Sequence, residues 1–188
     1  AYAYGVMTDA QIELGQYAAA VDTLQAMVNL RPDAASYSRI SYLRELHGDV
    51  PGAIDLMQAA VDAGGPATEN AAWLRTQLGH LCFNRGDLVQ AETEYLRTLE
   101  LTPGYVHALA GLARVRYAQQ KPDEAIQLLT QAVQSMPLPE FVIALGEMYE
   151  ATGDQVQARQ QYDLVRAMQQ LYTSNGVDLD LEIALFNA

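Results

Sequence analysis

The sequence predicts an all-α solenoid of stacked helix hairpins, and three observations predict it. First, a glycine is followed five residues later by an alanine at Gly15 and Ala20, Gly48 and Ala53, Gly86 and Ala91, and Gly153 and Ala158. Ala125 marks a fifth copy, with Gln120 in the glycine slot. The beat returns about every 34 residues, a period typical of units that cannot bury their apolar faces alone and must stack. Second, apolar residues between the beats fall at spacings of three and four, the stripe of an amphipathic helix. Third, half of the chain is hydrophobic and 18% is charged, with abundant Ala and Gln and little Pro, a globular and helix-favouring composition.

The elements follow in order as helices over 1–14, 17–30, 34–47, 50–63, 68–84, 88–100, 105–118, 122–135, 139–152 and 155–173, with a last piece from about 177. The first hairpin turns at Leu14-Gly15-Gln16-Tyr17 and is closed by Pro32. The second turns at His47-Gly48-Asp49-Val50. The Gly-to-Gly spacing then widens from 33 to 38 residues, and the extra residues fall at Ala63-Gly64-Gly65-Pro66-Ala67, a loop with Thr68 as the cap of a longer helix. In the third unit Leu74, Leu78 and Leu81 form one stripe and Ala91, Tyr95 and Leu99 the other. Between them, Gly86 suits a left-handed helix end and Asp87 the N-cap of the next helix. Pro103 and Pro137 close the third and fourth units. The fifth turns at Thr152-Gly153-Asp154-Gln155 and has no closing Pro, so its second helix runs on to about Thr173. The expected units are 1–33, 34–71, 72–105, 106–138 and 139–173. Residues 174–188 form a turn at Ser174-Asn175-Gly176 and a C-terminal helix, read as the first helix of a truncated sixth repeat or a short lid. Its stripe of Leu179, Ile183 and Phe186 is expected to pack against the Leu164 and Met168 side of the preceding helix.

Small residues mark where helices approach closely: Gly79, Gly146 and the alanines Ala20, Ala53, Ala91, Ala125 and Ala158. Leu24, Met57, Tyr95, Leu129 and Tyr162, one turn after each alanine, fill the next gap.

These units resemble tetratricopeptide repeats. The third carries the pattern through Leu78-Gly79, Gly86, Ala91, Tyr95 and Pro103, with Cys82 in an aromatic slot. The fifth carries it through Leu145-Gly146, Tyr149, Gly153, Ala158 and Tyr162. The first, second and fourth units depart at the Leu-Gly pair, with Met7-Thr8, Ile40-Ser41 and Leu112-Ala113. The resemblance covers about 1–173. It implies a right-handed solenoid whose first helices line a concave surface and whose function is to bind protein or peptide. Chaperone-binding members of the family build a carboxylate clamp from Lys and Asn in successive first helices. Here the one lysine, Lys121, lies in a turn, so that clamp is not expected.

The net charge is −12, unevenly placed. Residues 31–121 are nearly neutral, with nine Arg or Lys against ten Asp or Glu, whereas 122–188 hold two against ten. No positive cluster is available to displace counterions, which argues against nucleic acid. No apolar run approaches the roughly 18 residues of a membrane span, and no secretory signal opens the chain. A soluble, cytoplasmic location is favoured, with the compartment and the oligomeric state left open. The one cysteine, Cys82, permits no internal disulfide.

No phosphate-binding loop, His-Glu-x-x-His, Cys-x-x-Cys or nucleophile elbow is present, so no catalytic residue, cofactor or metal is expected. His47 sits at a helix end, where it serves the dipole. His80 and Cys82 point to different faces of one helix. Glu147 and Glu150 share a face without an accompanying nucleophile or pocket, which reads as a solvated surface.

By phase, the groove candidates are Tyr42, Trp73, Thr76, His80, Phe83, His107, Arg114 and Tyr117. Aromatics with an arginine are typical of binding hot spots, and Arg114 suits a carboxylate. Trp73 and Phe83 equally suit packing between neighbouring first helices. The expected function is therefore a non-enzymatic scaffold that binds protein or peptide. The alternatives are a recruiting or regulatory segment of a larger protein whose catalytic domain lies outside these residues, and an architectural homo-oligomer.

Overall fold

The computed structural model describes residues 2–65 and 69–177. Among them are ten helices and no strand: α1 (Tyr2–Glu13), α2 (Tyr17–Leu30), α3 (Ala34–Leu46), α4 (Val50–Ala63), α5 (Glu69–Asn84), α6 (Leu88–Leu101), α7 (Val106–Ala118), α8 (Pro122–Ser135), α9 (Pro139–Ala151) and α10 (Gln155–Ser174). The chain forms two compact units, Ala1–Thr102 and Pro103–Ala188. In the first, α1/α2, α3/α4 and α5/α6 pair as hairpins, with α3 also against α1 and α2, and α4 against α5. In the second, α7/α8 and α9/α10 pair, with α8 against α9. The expected cap Thr68 and the C-terminal stripe of Leu179, Ile183 and Phe186 lie outside the described residues.

Three of the hairpin turns are made by a Gly-Asp dipeptide that ends one helix and starts the next. Gly86 adopts φ 87°, a left-handed conformation that costs glycine nothing. That geometry lets the Asp87 amide reach back to the Cys82 carbonyl at 2.9 Å, closing α5. The Asp87 carboxylate then accepts from the Gln90 amide at 3.1 Å, capping α6. Asp49 and Asp154 cap α4 and α10 in the same way. The fourth hairpin keeps the geometry without the glycine. Gln120 holds φ 61° and Lys121 bonds the Arg116 carbonyl at 2.9 Å, with no side-chain cap on α8. A left-handed non-glycine residue costs on the order of 1 kcal/mol, so this turn is held by the packing around it.

Packing inside the hairpins follows a size rule. The beat alanines Ala20, Ala53, Ala91, Ala125 and Ala158 are all buried. In the third hairpin a Cβ on Gly79 would lie 2.6 Å from the Tyr95 ring. In the fifth, a Cβ on Gly146 would lie 2.5 Å from the Tyr162 ring. The other hairpins hold a larger residue in the glycine slot and an aliphatic one opposite in register: Thr8 with Leu24, Ser41 with Met57, and Ala113 with Leu129. Ser41 satisfies its buried hydroxyl on the Ala53 carbonyl at 2.6 Å. The departures from Leu-Gly seen in the sequence are thus matched by smaller partners, which keeps the volume of each contact nearly constant. Ala91 does not itself make the closest approach to Gly79; Tyr95 does.

Candidate functional site

Helices α1, α3 and α5 are the first helices of the three hairpins in the first unit. They enclose an open cavity of about 530 Å³. The floor is apolar, with Met57, Leu74 and Leu81. α3 contributes Ser38, Arg39, Tyr42 and Glu45 to its wall, with Ser38 four residues before Tyr42 and Arg39, Tyr42 and Glu45 three apart, on one side of the helix. α5 contributes Asn70, Trp73 and Gln77 from its own face. Trp73 is 43% exposed and Tyr42 45% exposed, so both rings are presented to solvent. Large apolar rings held half-open on a concave surface are hot-spot geometry.

The charges of the cavity are arranged unequally. Asp9 on α1 takes the Arg39 guanidinium in a two-pronged bond, with Nε and Nη2 each 2.8 Å from a carboxylate oxygen. Arg39 also donates to the Ala35 carbonyl at 3.0 Å. Bidentate geometry fixes the guanidinium against the wall. Glu45, partly buried, has no ion pair or side-chain hydrogen bond among the described residues.

The structure places the sequence-predicted residues in three groups. Tyr42 and Trp73 meet in the cavity of the first unit. Thr76, His80 and Phe83 do not line that cavity. Thr76 is buried, and its hydroxyl donates to the Ala72 carbonyl at 2.8 Å, so it leaves the groove set. His80 is partly buried with its ring 5.7 Å from that of Tyr95, and Phe83 is partly buried. In the second unit His107 packs edge-on against Phe141 of α9 with centroids 5.5 Å apart, a contact between first helices. Arg114 and Tyr117 lie exposed on α7. The residues that the sequence reading missed are Asp9, Arg39, Glu45, Asn70 and Gln77, none of which stands out by type.

The remaining reactive groups are structural. Cys82 is fully buried, and burial pushes its thiol up to about 11 against the opposing charge of Arg85. His47 ends α3 with Nδ1 2.7 Å from the Leu43 carbonyl and an edge contact to Tyr17. Glu150 accepts a hydrogen bond from the Tyr162 hydroxyl at 2.9 Å. Burial, that bond and the charges of Glu150 and Glu147 push the phenol up to about 12. A phenol held above its ordinary value of about 10 stabilises the fold below that value and loses the contribution as pH rises toward 12. Alkaline melting should therefore lower the stability of the wild type more steeply than that of Tyr162→Phe over this range. Equal slopes would mean that Tyr162 titrates alike in both states.

A family model, the tetratricopeptide repeat, matches residues 8–68, 76–139 and 110–170. The chain belongs to the tetratricopeptide repeat family, an all-α solenoid class whose members are generally non-catalytic scaffolds for protein interaction. No curated protein sequence matches the chain significantly. Among solved structures, a thermophilic TPR protein of Thermus thermophilus superposes with TM-score 0.74 at 20% identity, covering 97% of this chain and 95% of that one. BtubC of P. vanneervenii gives 0.78 at 17%, covering 93% and 81%. PilF of Pseudomonas aeruginosa gives 0.76 at 16%, covering 88% and 74%. At these identities the likeness is one of fold. No helix among the described residues is long and apolar enough to cross a membrane.

Proposed function

We propose that the chain is a peptide-binding scaffold and that the cavity between α3 and α5 is its principal docking groove. The observation that carries this reading is the pair of half-exposed rings, Tyr42 and Trp73, over an apolar floor. Packing alone gives no reason to leave the one tryptophan of the chain half in water above a cavity of this size. The open site suits an extended or helical segment of another protein. Arg114 and Tyr117, exposed on α7, are the candidates for a further contact in the second unit.

The test is an array of capped random hexapeptides probed with the labelled, full chain. Trp73→Ala and Tyr42→Ala should each weaken binding about thirtyfold, as truncation of a ~2 kcal/mol anchor does, with melting temperature unchanged. Gln127→Ala, on the exposed side of α8, should bind as the wild type does. Array binding as strong in Trp73→Ala as in the wild type would overturn the groove.

A further inference from the structure

We infer that the groove selects a peptide segment bearing an arginine or lysine next to an apolar residue, not an acidic segment. The inference rests on the groove reading above and adds the sign of the charge that it takes. Two carboxylates and one guanidinium border the cavity, and the guanidinium is already used. Arg39 gives Nε and Nη2 to Asp9 at 2.8 Å and Nη1 to the Ala35 carbonyl at 3.0 Å, so its charge is already neutralised and an incoming carboxylate would have to share it with Asp9. Glu45 is the charge left over, with no partner among the described residues.

The rings sharpen the same preference. Trp73 and Tyr42 border the cavity with Glu45, and aromatic faces attract cations and not anions. A guanidinium or ammonium there meets an unpaired carboxylate and π faces at one time. Its aliphatic stem lies against the Leu74 and Leu81 floor, as long basic side chains cover apolar surface. A neighbouring apolar residue fills the rest. An acidic side chain in the same place meets Glu45 with like charge. The sequence singles out Arg114 of the second unit for an acidic ligand and gives no sign of this preference, because nothing local shows that Asp9 neutralises Arg39 from thirty residues away.

The test uses the same array with the third position fixed as Arg, Lys, Gln or Glu and the other five random. The wild type should prefer the Arg and Lys sets to the Gln set by about tenfold and bind the Glu set least. Glu45→Gln should remove most of that preference by weakening binding of the Arg and Lys sets. A chain of net charge −12 attracts cations everywhere, so Asp55→Asn is the control. It removes one charge from the exposed side of α4 and should keep the preference intact. Equal binding of the four sets, preference for Glu, or loss of preference in Asp55→Asn as large as in Glu45→Gln would each overturn the cation reading. In all three cases the groove reading stands if Trp73→Ala still weakens binding about thirtyfold. Loss of the Trp73 dependence overturns both.

Discussion

Gly79→Val should destabilise the protein by about 2–3 kcal/mol, the upper part of the range for overpacking a core. The argument is geometric. The first added atom would sit 2.6 Å from a Tyr95 ring carbon, and that ring is fully buried. It cannot swing into solvent, and Ala91 on the preceding turn of α6 is itself without exposed surface. Ordinary helix propensity works the other way, since replacing a mid-helix glycine recovers a few tenths to about 1 kcal/mol. The clash is expected to win because several atoms overlap. The other hairpins supply the cure. Where the slot is larger than glycine, the residue opposite in register is Leu or Met. Gly79→Ala combined with Tyr95→Leu should therefore be more stable than the two single changes predict when added. Thermal or chemical denaturation of the four proteins in that cycle reads the coupling. Additive effects would mean that the two residues do not share a contact.

The same size rule shows what the sequence makes legible. The glycine-alanine beat announces the turns and close approaches because few residues can do either job. A left-handed helix end needs glycine or costs strain, and a buried helix crossing needs a small side chain on at least one of the two helices. Helix boundaries follow from capping aspartates and prolines that act within one turn of themselves. The groove is less legible because a first helix has two flanks. One flank of α5 carries Asn70, Trp73 and Gln77 toward the cavity with α3. The other carries Thr76, His80 and Phe83, in the register that Ser38, Tyr42 and Glu45 occupy on α3. A single inward stripe drawn through α5 merges the two, which is why phase alone puts Thr76 beside Trp73. Aligning α3 and α5 on Ser41 and Gly79 separates them, and that alignment is available from the sequence. The state of Arg39 is not, because nothing local says that Asp9, on another helix, will hold it.

A second large effect is expected at a charge that no repeat pattern requires. Glu94 lies inside the α5/α6 hairpin with its side chain 4% exposed. Arg75 reaches it from α5 at 3.2 Å, and Arg97, one turn along α6, reaches it at 3.5 Å from a largely solvated position. A buried carboxylate must be compensated, and losing its partner costs about 3–5 kcal/mol when nothing replaces it. Arg75→Met keeps the aliphatic stem and removes only the charge. Arg97 remains as a longer, more exposed partner, so the expected loss is somewhat smaller, about 2–3 kcal/mol. Glu94→Leu should cost less than Arg75→Met. Arg75 keeps a quarter of its side chain in contact with water and can hydrate its charge, whereas Glu94 cannot. The double variant Arg75→Met with Glu94→Leu removes both charges and leaves apolar groups of similar size in the hairpin. It should recover most of the stability lost in Arg75→Met, since the cost lies in the stranded carboxylate and not in the absence of the pair. Urea denaturation of the three variants measures this order. If Glu94→Leu proves the more damaging single change, the arginine is the stranded charge, and Glu94 is stabilised by something other than Arg75.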